Sequence, residues 1–277
     1  MYPYIVFTET YRFSTYGLMF IIGYICAVAV AMRSAGRYGA YKNDVLYCSV
    51  YIVLGIGAGA KVMYFLSKVP RVVMHFDVFM KMWDLSPIEA LNYLFGGLTF
   101  FGGLFGAFIG FLIYCRQYKI ETEPMGVAMV PYIPFVHAFG RVGCFLAGCC
   151  YGIPYSGVFA VQFPDSDLDP ALSEVTRFPV QLLEALVNLV IFALLLLLRK
   201  NHRMRAKGLL VTYLASYCVA RFFLEMLRGD ADRGKYSLLS TSQIISLAIL
   251  ILLLVQYLRS VYAKKYHSDN NDNEHNE

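Results

Sequence analysis

Charged residues are scarce in this sequence: they make up 16% of 277 residues, while 58% are hydrophobic. A soluble domain carries about 25% charged and about 45–50% apolar residues, so a soluble globular fold is excluded for the bulk of the chain. Cysteine is too sparse and scattered for a disulfide framework. Of the seven, Cys26, Cys48, Cys115 and Cys218 lie singly in apolar segments, where a thiol behaves as a small hydrophobe. A Walker or dinucleotide glycine motif is absent, so no nucleotide cofactor is indicated. The opening Met1-Tyr-Pro-Tyr lacks the basic stretch of a cleaved signal peptide, which predicts that the first apolar run, from Tyr16, is kept as a helix. No internal repeat and no separate soluble domain is found.

What the chain has instead is apolar runs of membrane-helix length, about 17–25 residues. The run from Val180 to Leu198 is the plainest, and it ends in an unbroken aliphatic stretch. Helices are predicted at about 16–32, 45–66, 97–114, 125–147, 180–198, 208–227 and 240–258. The fourth contains Pro131, Pro134, His137 and Arg141, so a broken or half-inserted segment is expected there; such backbone survives at membrane depth only inside protein or beside a water-filled cavity. The fold class is therefore an all-α polytopic integral membrane protein of about seven transmembrane helices. One transmembrane domain is expected over residues 1–265, with loops 67–95 and 151–179 on the outer face. The polar tail 266–277 is expected to be disordered and cytoplasmic.

The net charge of +5 could point to nucleic acid, but the basic residues fall in short loops between apolar runs, so the lipid bilayer is the expected partner and nucleic acid is not. The loops after helices 1, 3 and 5, with the tail after helix 7, hold 13 of the 24 Lys and Arg residues. The opposite loop 151–179 is acidic through Asp165, Asp167, Asp169 and Glu174. The excess of basic residues places the N-terminus outside and the C-terminus inside. Trp83, Tyr64, Tyr93 and Phe95 read as an interfacial aromatic belt. His75, His202, His267 and His275 read as solvated or interfacial residues. The glycines of the 55–59 run and Gly102, Gly103, Gly106 and Gly110 predict close helix approach.

Three cations break the apolar pattern: Lys61, Arg141 and Arg221. A charge at bilayer depth costs about 2.5–3.5 kcal/mol on insertion scales, so two arginines there indicate a polar cavity or an anionic ligand. Arg221 has Glu225 one turn on, and Arg228 is expected two turns on along the same face. Arg141 has no acid nearby in sequence; it sits between Gly140 and Gly143, whose missing side chains leave backbone amides accessible. The planar guanidinium donates paired hydrogen bonds to phosphate and stays charged. With the topology above, both arginines lie toward the outer face, where anionic lipid headgroups are available. The residues by themselves thus point to a membrane protein that handles anionic lipid.

The run Gly140-Arg-Val-Gly-Cys-Phe-Leu-Ala-Gly-Cys-Cys-Tyr-Gly152 resembles the signature of the bacterial prolipoprotein diacylglyceryl transferase family, Gly-Arg-x-Gly-Asn-Phe-x-Asn-x-Glu-x-x-Gly. Further matches follow in the family's order. Tyr16-Gly-Leu-Met19 is similar to its first-helix motif, and Gly59-Ala-Lys-Val-Met-Tyr64 to its second, with Lys61 where arginine is usual. Gly96-Gly-Leu-Thr-Phe-Phe-Gly-Gly103 and Arg177-Phe-Pro-Val-Gln-Leu-Leu-Glu184 resemble two more. Arg221-Phe-Phe-Leu-Glu225 with Arg228-Gly-Asp230, and Ser240-Thr-Ser-Gln243, complete the set over about residues 16–258.

The resemblance implies an enzyme of the bacterial cytoplasmic membrane, its active site toward the outer leaflet. It would move the diacylglyceryl group of phosphatidylglycerol to the cysteine thiol of a prolipoprotein signal peptide and release glycerol phosphate, with no cofactor. It implies catalytic roles for Arg141, Arg221, Glu225 and Tyr16. Substrate binding would involve Arg141, Arg221, Gly140, Gly143, Gly102, Gly103, Gln181, Glu184 and Arg228. Departures accompany it. The family's motif histidine is Phe101 here, which cannot take a proton, and the first asparagine and the glutamate of its signature are Cys144 and Cys149. Glu225 and Tyr16 are the groups left to act as base. Cys144, Cys149 and Cys150, with His137 nearby, stay open between packed thiols, a redox or thiol-chemistry role, and a soft-metal site, although the spacing is no standard zinc pattern and no metal is assigned. Two other readings are weighed against the transferase. One is a divergent relative that binds anionic lipid or handles thiols without this reaction. The other is a transporter lined by Arg141 and Arg221, supported by the interrupted fourth helix.

Overall fold

The computed structural model describes residues 4–6, 12–163, 175–200, 204–229, 235–236 and 239–274. The acidic residues Asp165, Asp167, Asp169 and Glu174, together with His202, Asp230 and His275, lie outside them. Among the described residues, seven helical stretches are long and apolar enough to cross a membrane: Thr15–Tyr38, Lys42–Met74, Phe100–Gln117, Thr122–Ala147, Val180–Lys200, Ala206–Leu227 and Thr241–Ala263. The molecule is an all-α polytopic membrane protein, as its hydropathy predicts. Among the described residues the strands form two short antiparallel pairs, β1 (Tyr4–Val6) with β2 (Arg12–Ser14) and β3 (Lys235–Tyr236) with β4 (Leu239–Ser240).

The interrupted fourth segment is real. It consists of α6 (Thr122–Met129), a 3-10 turn at Val130–Tyr132, and α7 (Ile133–Ala147). Pro131 falls in the turn and Pro134 in the first turn of α7; each lacks the N–H an α-helix needs, and the tighter turn absorbs the missing bonds.

The segment 67–95 is helical rather than a loop. α2 (Lys42–Met74) runs past Ser67, and α3 (Phe76–Leu85) and α4 (Pro87–Phe95) follow. Ser86 caps α4, accepting from the Glu89 amide at 3.4 Å, with Pro87 at the first helical position; this Ser-x-x-Glu start is a sequence signature of a helix N-terminus. The tail also departs from its composition. α10 (Thr241–Glu274) carries helical backbone through 266–274, because adding a turn to an existing helix costs far less than starting one.

The chain divides into two compact units. Residues 28–129 form one, and its centre is the pairing of α2 with α5 (Phe100–Gln117). A side chain at Gly59 would strike the Gly102 carbonyl and the Gly106 backbone, so the two helices touch main chain to main chain, as the glycine pattern predicts. Gly102 and Gly103 are part of this seam: Gly102 faces Gly59 and Met63, and Gly103 faces Ile56. Lys61 is satisfied within the same unit, donating to the Phe95 carbonyl at the end of α4, where a cation also meets the negative end of the helix dipole. Phe101 is half exposed on α5 beside Phe100.

The other unit joins residues 1–27 to 130–277. In it α7 packs along α8 (Val180–Lys200), α8 against α9 (Ala206–Leu224), and α9 against α10. Leu195, Leu209, Val180 and Ile191 are buried between them. Arg199, at the last turn of α8, is buried too; it donates to the Tyr132 hydroxyl at 3.3 Å and lies over that ring.

Candidate active site

Three neighbouring helices each carry polar side chains at one-turn spacing. α7 brings His137, Arg141 and Cys144; α8 brings Gln181, Glu184 and Asn188; α9 brings Tyr213, Tyr217 and Arg221. Residues three and four apart share a helix face, so each set forms a stripe in an otherwise apolar helix. The stripes meet at Glu184.

Glu184 is 1% exposed. Its Oε1 lies 3.0 Å from Arg141 Nε, and its Oε2 lies 3.4 Å from Arg221 Nη1. The Tyr217 hydroxyl donates to Oε1 at 2.9 Å, and His137 Nε2 is 3.9 Å away. His137 Nδ1 faces the Tyr213 hydroxyl at 3.3 Å. Arg221 reaches onward to Glu225 at 2.8 Å and to Ser242 Oγ at 3.2 Å. Two guanidiniums and two carboxylates thus balance in a buried cluster. Taking one member away would strand a charge, which costs about 3–5 kcal/mol.

The arginines differ in what they have left to give. Both Nη groups of Arg221 are committed within the protein. Arg141 meets Glu184 through Nε, and the described residues give its Nη fork no partner. Beside it Gly140 is buried, yet a side chain there would meet open space. Gly143 is needed for contact: a Cβ there would sit 3.0 Å from Tyr16 Cα. That packing fixes the start of α1 (Thr15–Ala35) against α7 and leaves the Tyr16 ring in the field of Arg141 and Cys144.

Gln181 is buried and donates to the Cys149 carbonyl at 2.8 Å, while its Oε1 has no partner among the described residues. Arg228 does not continue the face of Arg221. The helix tightens to a 3-10 turn at Glu225–Leu227, and Arg228 is extended, bridged to Gly152; a helix-face reading of Arg221 and Arg228 is corrected by that turn.

The cysteines converge. α7 ends on Gly148 at φ 75°, with the Gly148 amide bonded to Phe145 and the Cys149 amide to Cys144, the bond pair of a Schellman cap. Cys150 then takes φ 60°, a left-handed conformation that costs a non-glycine residue about 1–3 kcal/mol. The result is that the sulfurs of Cys144, Cys149 and Cys150 all lie within 4.8 Å of one another, as free thiols. Hydrogen bonding with Cys144 and Cys150 raises the Cys149 thiol above its ordinary value. The same contacts, with Cys144 and Cys149 as partners, lower Cys150, and Arg228 and Arg141 add to that effect.

Sequence reasoning found both arginines, Glu184 and Glu225. It did not find Tyr213, Tyr217 or Ser242, and it placed His137 with the cysteines rather than with Glu184. The signal was present in the one-turn spacing of Tyr213, Tyr217 and Arg221.

Comparison with known proteins gives a consistent picture. The profile of the family described as prolipoprotein diacylglyceryl transferase matches residues 3–259. A phosphatidylglycerol–prolipoprotein diacylglyceryl transferase of Clostridium tetani is 30% identical over 238 residues, covering 86% of this chain and 89% of the relative. A second such transferase, from Clostridium perfringens, is 30% identical over 239 residues, with 86% and 87% covered. One from Acinetobacter baumannii is 29% identical over 245 residues, with 86% and 84% covered.

Proposed function

The chain belongs to the prolipoprotein diacylglyceryl transferase family, and from that membership we propose that it transfers the diacylglyceryl group of phosphatidylglycerol to the cysteine thiol of prolipoprotein signal peptides. The observation that carries this reading is the buried cluster in which Glu184 holds Arg141 and Arg221 while, among the described residues, the Nη fork of Arg141 is unclaimed. That fork, beside the space at Gly140, takes the lipid phosphate through paired hydrogen bonds. Arg221, fixed by Glu184, Glu225 and Ser242, supplies a second positive charge that does not have to reorganise.

The substrate thiolate attacks the glycerol carbon that bears the phosphate ester. The carbon–oxygen bond breaks, a thioether forms, and glycerol phosphate leaves with the bonding pair. Charge develops on the departing phosphate, where preorganised guanidiniums in a water-poor site act most strongly. Glu225 is tied to Arg221 at 2.8 Å and so serves to position it rather than to take the thiol proton. Tyr16, placed by Gly143, borders the site.

The reaction is placed at the outer leaflet of the bacterial cytoplasmic membrane, with the N-terminus outside. The excess of basic residues in the opposite loops supports that orientation. The test is purified protein in phosphatidylglycerol-containing micelles with a signal peptide bearing the target cysteine. Thioether-linked diacylglyceryl peptide and free glycerol phosphate are expected in equal amounts. Binding of phosphatidylglycerol with neither product would overturn the transferase reading in favour of a lipid-binding relative.

A further inference from the structure

The cysteine cluster fills positions for which the proposed reaction has no use so far. A thiol is a poor nucleophile until it is a thiolate, and Phe101 leaves this chain without a proton acceptor where its family carries histidine. We propose that Cys144, Cys149 and Cys150 form a three-thiolate zinc site whose open fourth position takes the substrate cysteine and delivers it as a thiolate.

The geometry fits the ion. Zinc–sulfur bonds are about 2.3 Å, so thiolates in a tetrahedral site stand about 3.8 Å apart, within the 4.8 Å limit of these three sulfurs. Adjacent side chains on extended backbone point to opposite sides. The left-handed Cys150 and the cap at Gly148 undo that divergence and turn both vicinal thiols toward Cys144. Gln181 pins the loop through the Cys149 carbonyl at 2.8 Å. Three protein ligands with one position open is the pattern of catalytic zinc, and a closed four-ligand set is the structural one. Three thiolates around a divalent ion leave one negative charge, set in the field of Arg141 and Arg228.

Cys144 lies on α7 one turn beyond Arg141, so the ion and the phosphate fork stand on one face of one helix. Coordination strips the proton from the incoming thiol, and that proton leaves to water. The zinc-bound sulfur then uses its lone pair on the glycerol carbon, and glycerol phosphate departs on Arg141. The neutral thioether is a weak ligand and dissociates, freeing the fourth position. This second half rests on the transferase reading; the metal site does not.

The experiment uses the full chain in detergent, loaded with zinc and freed of excess by gel filtration. About one zinc per chain is expected, and each of Cys144→Ser, Cys149→Ser and Cys150→Ser should weaken retention by more than the about 10–100-fold that an outer-shell change costs. In the cobalt-substituted chain the thiolate charge-transfer absorption should grow when a signal peptide with the target cysteine is added, and should not respond to its serine analogue. Because the variants could fold poorly, wild-type thiols are also alkylated with iodoacetamide, and zinc should slow all three. Zinc retention equal to that of the triple serine variant overturns the proposal, as does absence of protection or a cobalt spectrum indifferent to the cysteine peptide. Undiminished transfer by metal-free chain also overturns it and leaves the transferase reading standing. No transfer by chain that holds zinc and shows the cobalt response sinks the transferase reading and leaves the metal site standing.

Discussion

A guanidinium carries its donors in a rigid planar fork, and how much of that fork the protein itself uses separates Arg141 from Arg221. Among the described residues, Arg221 spends both Nη groups on Glu184, Glu225 and Ser242, while Arg141 spends only Nε on Glu184. Lysine in place of either keeps the charge and loses the fork. Arg141→Lys is therefore expected to lower kcat/KM by about 100–1,000-fold, the range for losing one preorganised donor, with a modest fall in thermal midpoint from the lost Nε contact to Glu184. Arg221→Lys should lower the midpoint further, because it breaks contacts to Glu225 and Ser242 as well as to Glu184. Measurement of kcat/KM beside thermal unfolding in detergent separates the two; near-normal transfer by folded Arg141→Lys would make that arginine structural. Glu184→Ala leaves two guanidiniums facing each other and is expected to destabilise by about 3–5 kcal/mol, read as a fall in the unfolding midpoint whether or not substrate is present.

At the scale of elements, helix periodicity was readable where residues on one helix were to meet, and silent where two helices were. Arg221 with Glu225 could be read from spacing, and the ion pair is present at 2.8 Å. Glu184 as the partner of both arginines could not, because it depends on α8 lying beside α7 and α9, which no spacing within one helix encodes. The break at Pro131 was legible because proline acts locally. The helices of 67–95 were missed although Ser86 and Glu89 form a recognisable helix start, since amphipathic surface helices lack the long apolar run that identifies a span. The glycine seam was legible for the same reason as the proline break: a missing side chain has an immediate consequence. Gly59→Leu must push α2 away from the Gly102 carbonyl and the Gly106 backbone. Backbone cannot yield as a side chain can, so the cost is expected at or above the about 1–3 kcal/mol of ordinary overpacking. The check is the yield and unfolding midpoint of folded protein; Gly57→Leu, with nothing within 4 Å of its added carbon, is the control expected to behave as wild type.

For the whole molecule the question is which way it lies in the membrane. An odd number of spans, seven among the described residues, sets the two ends of the helical domain on opposite sides, so fixing one end fixes every loop. The proposed orientation rests on the basic residues. Between the spans of α8 and α9 the chain carries Lys200, Arg203, Arg205 and Lys207 beside the buried Arg199, and Lys264 and Lys265 lie in α10 just past its span Thr241–Ala263. Lysine and arginine in short loops hold a segment on the cytoplasmic side, whereas acidic residues contribute little, so the basic loops outweigh the acidic stretch around Asp167 as an argument. A fluorescent reporter fused after Lys265 is expected to light up in the cytoplasm, and a phosphatase inserted near Asp167 to be active outside. The cause can be tested along with the outcome. Replacing Lys200, Arg203, Arg205 and Lys207 together with glutamine removes most of the bias on that loop, and a mixed reporter pattern should follow, since the remaining loops and the tail hold fewer charges each. If the quadruple variant keeps a single orientation, the basic loop is not what orients the chain. If the unmodified chain shows the reverse pattern, the Arg141 cluster cannot meet phosphatidylglycerol and the substrate cysteine at the outer leaflet, and the proposed reaction would have to be moved to the other side of the membrane.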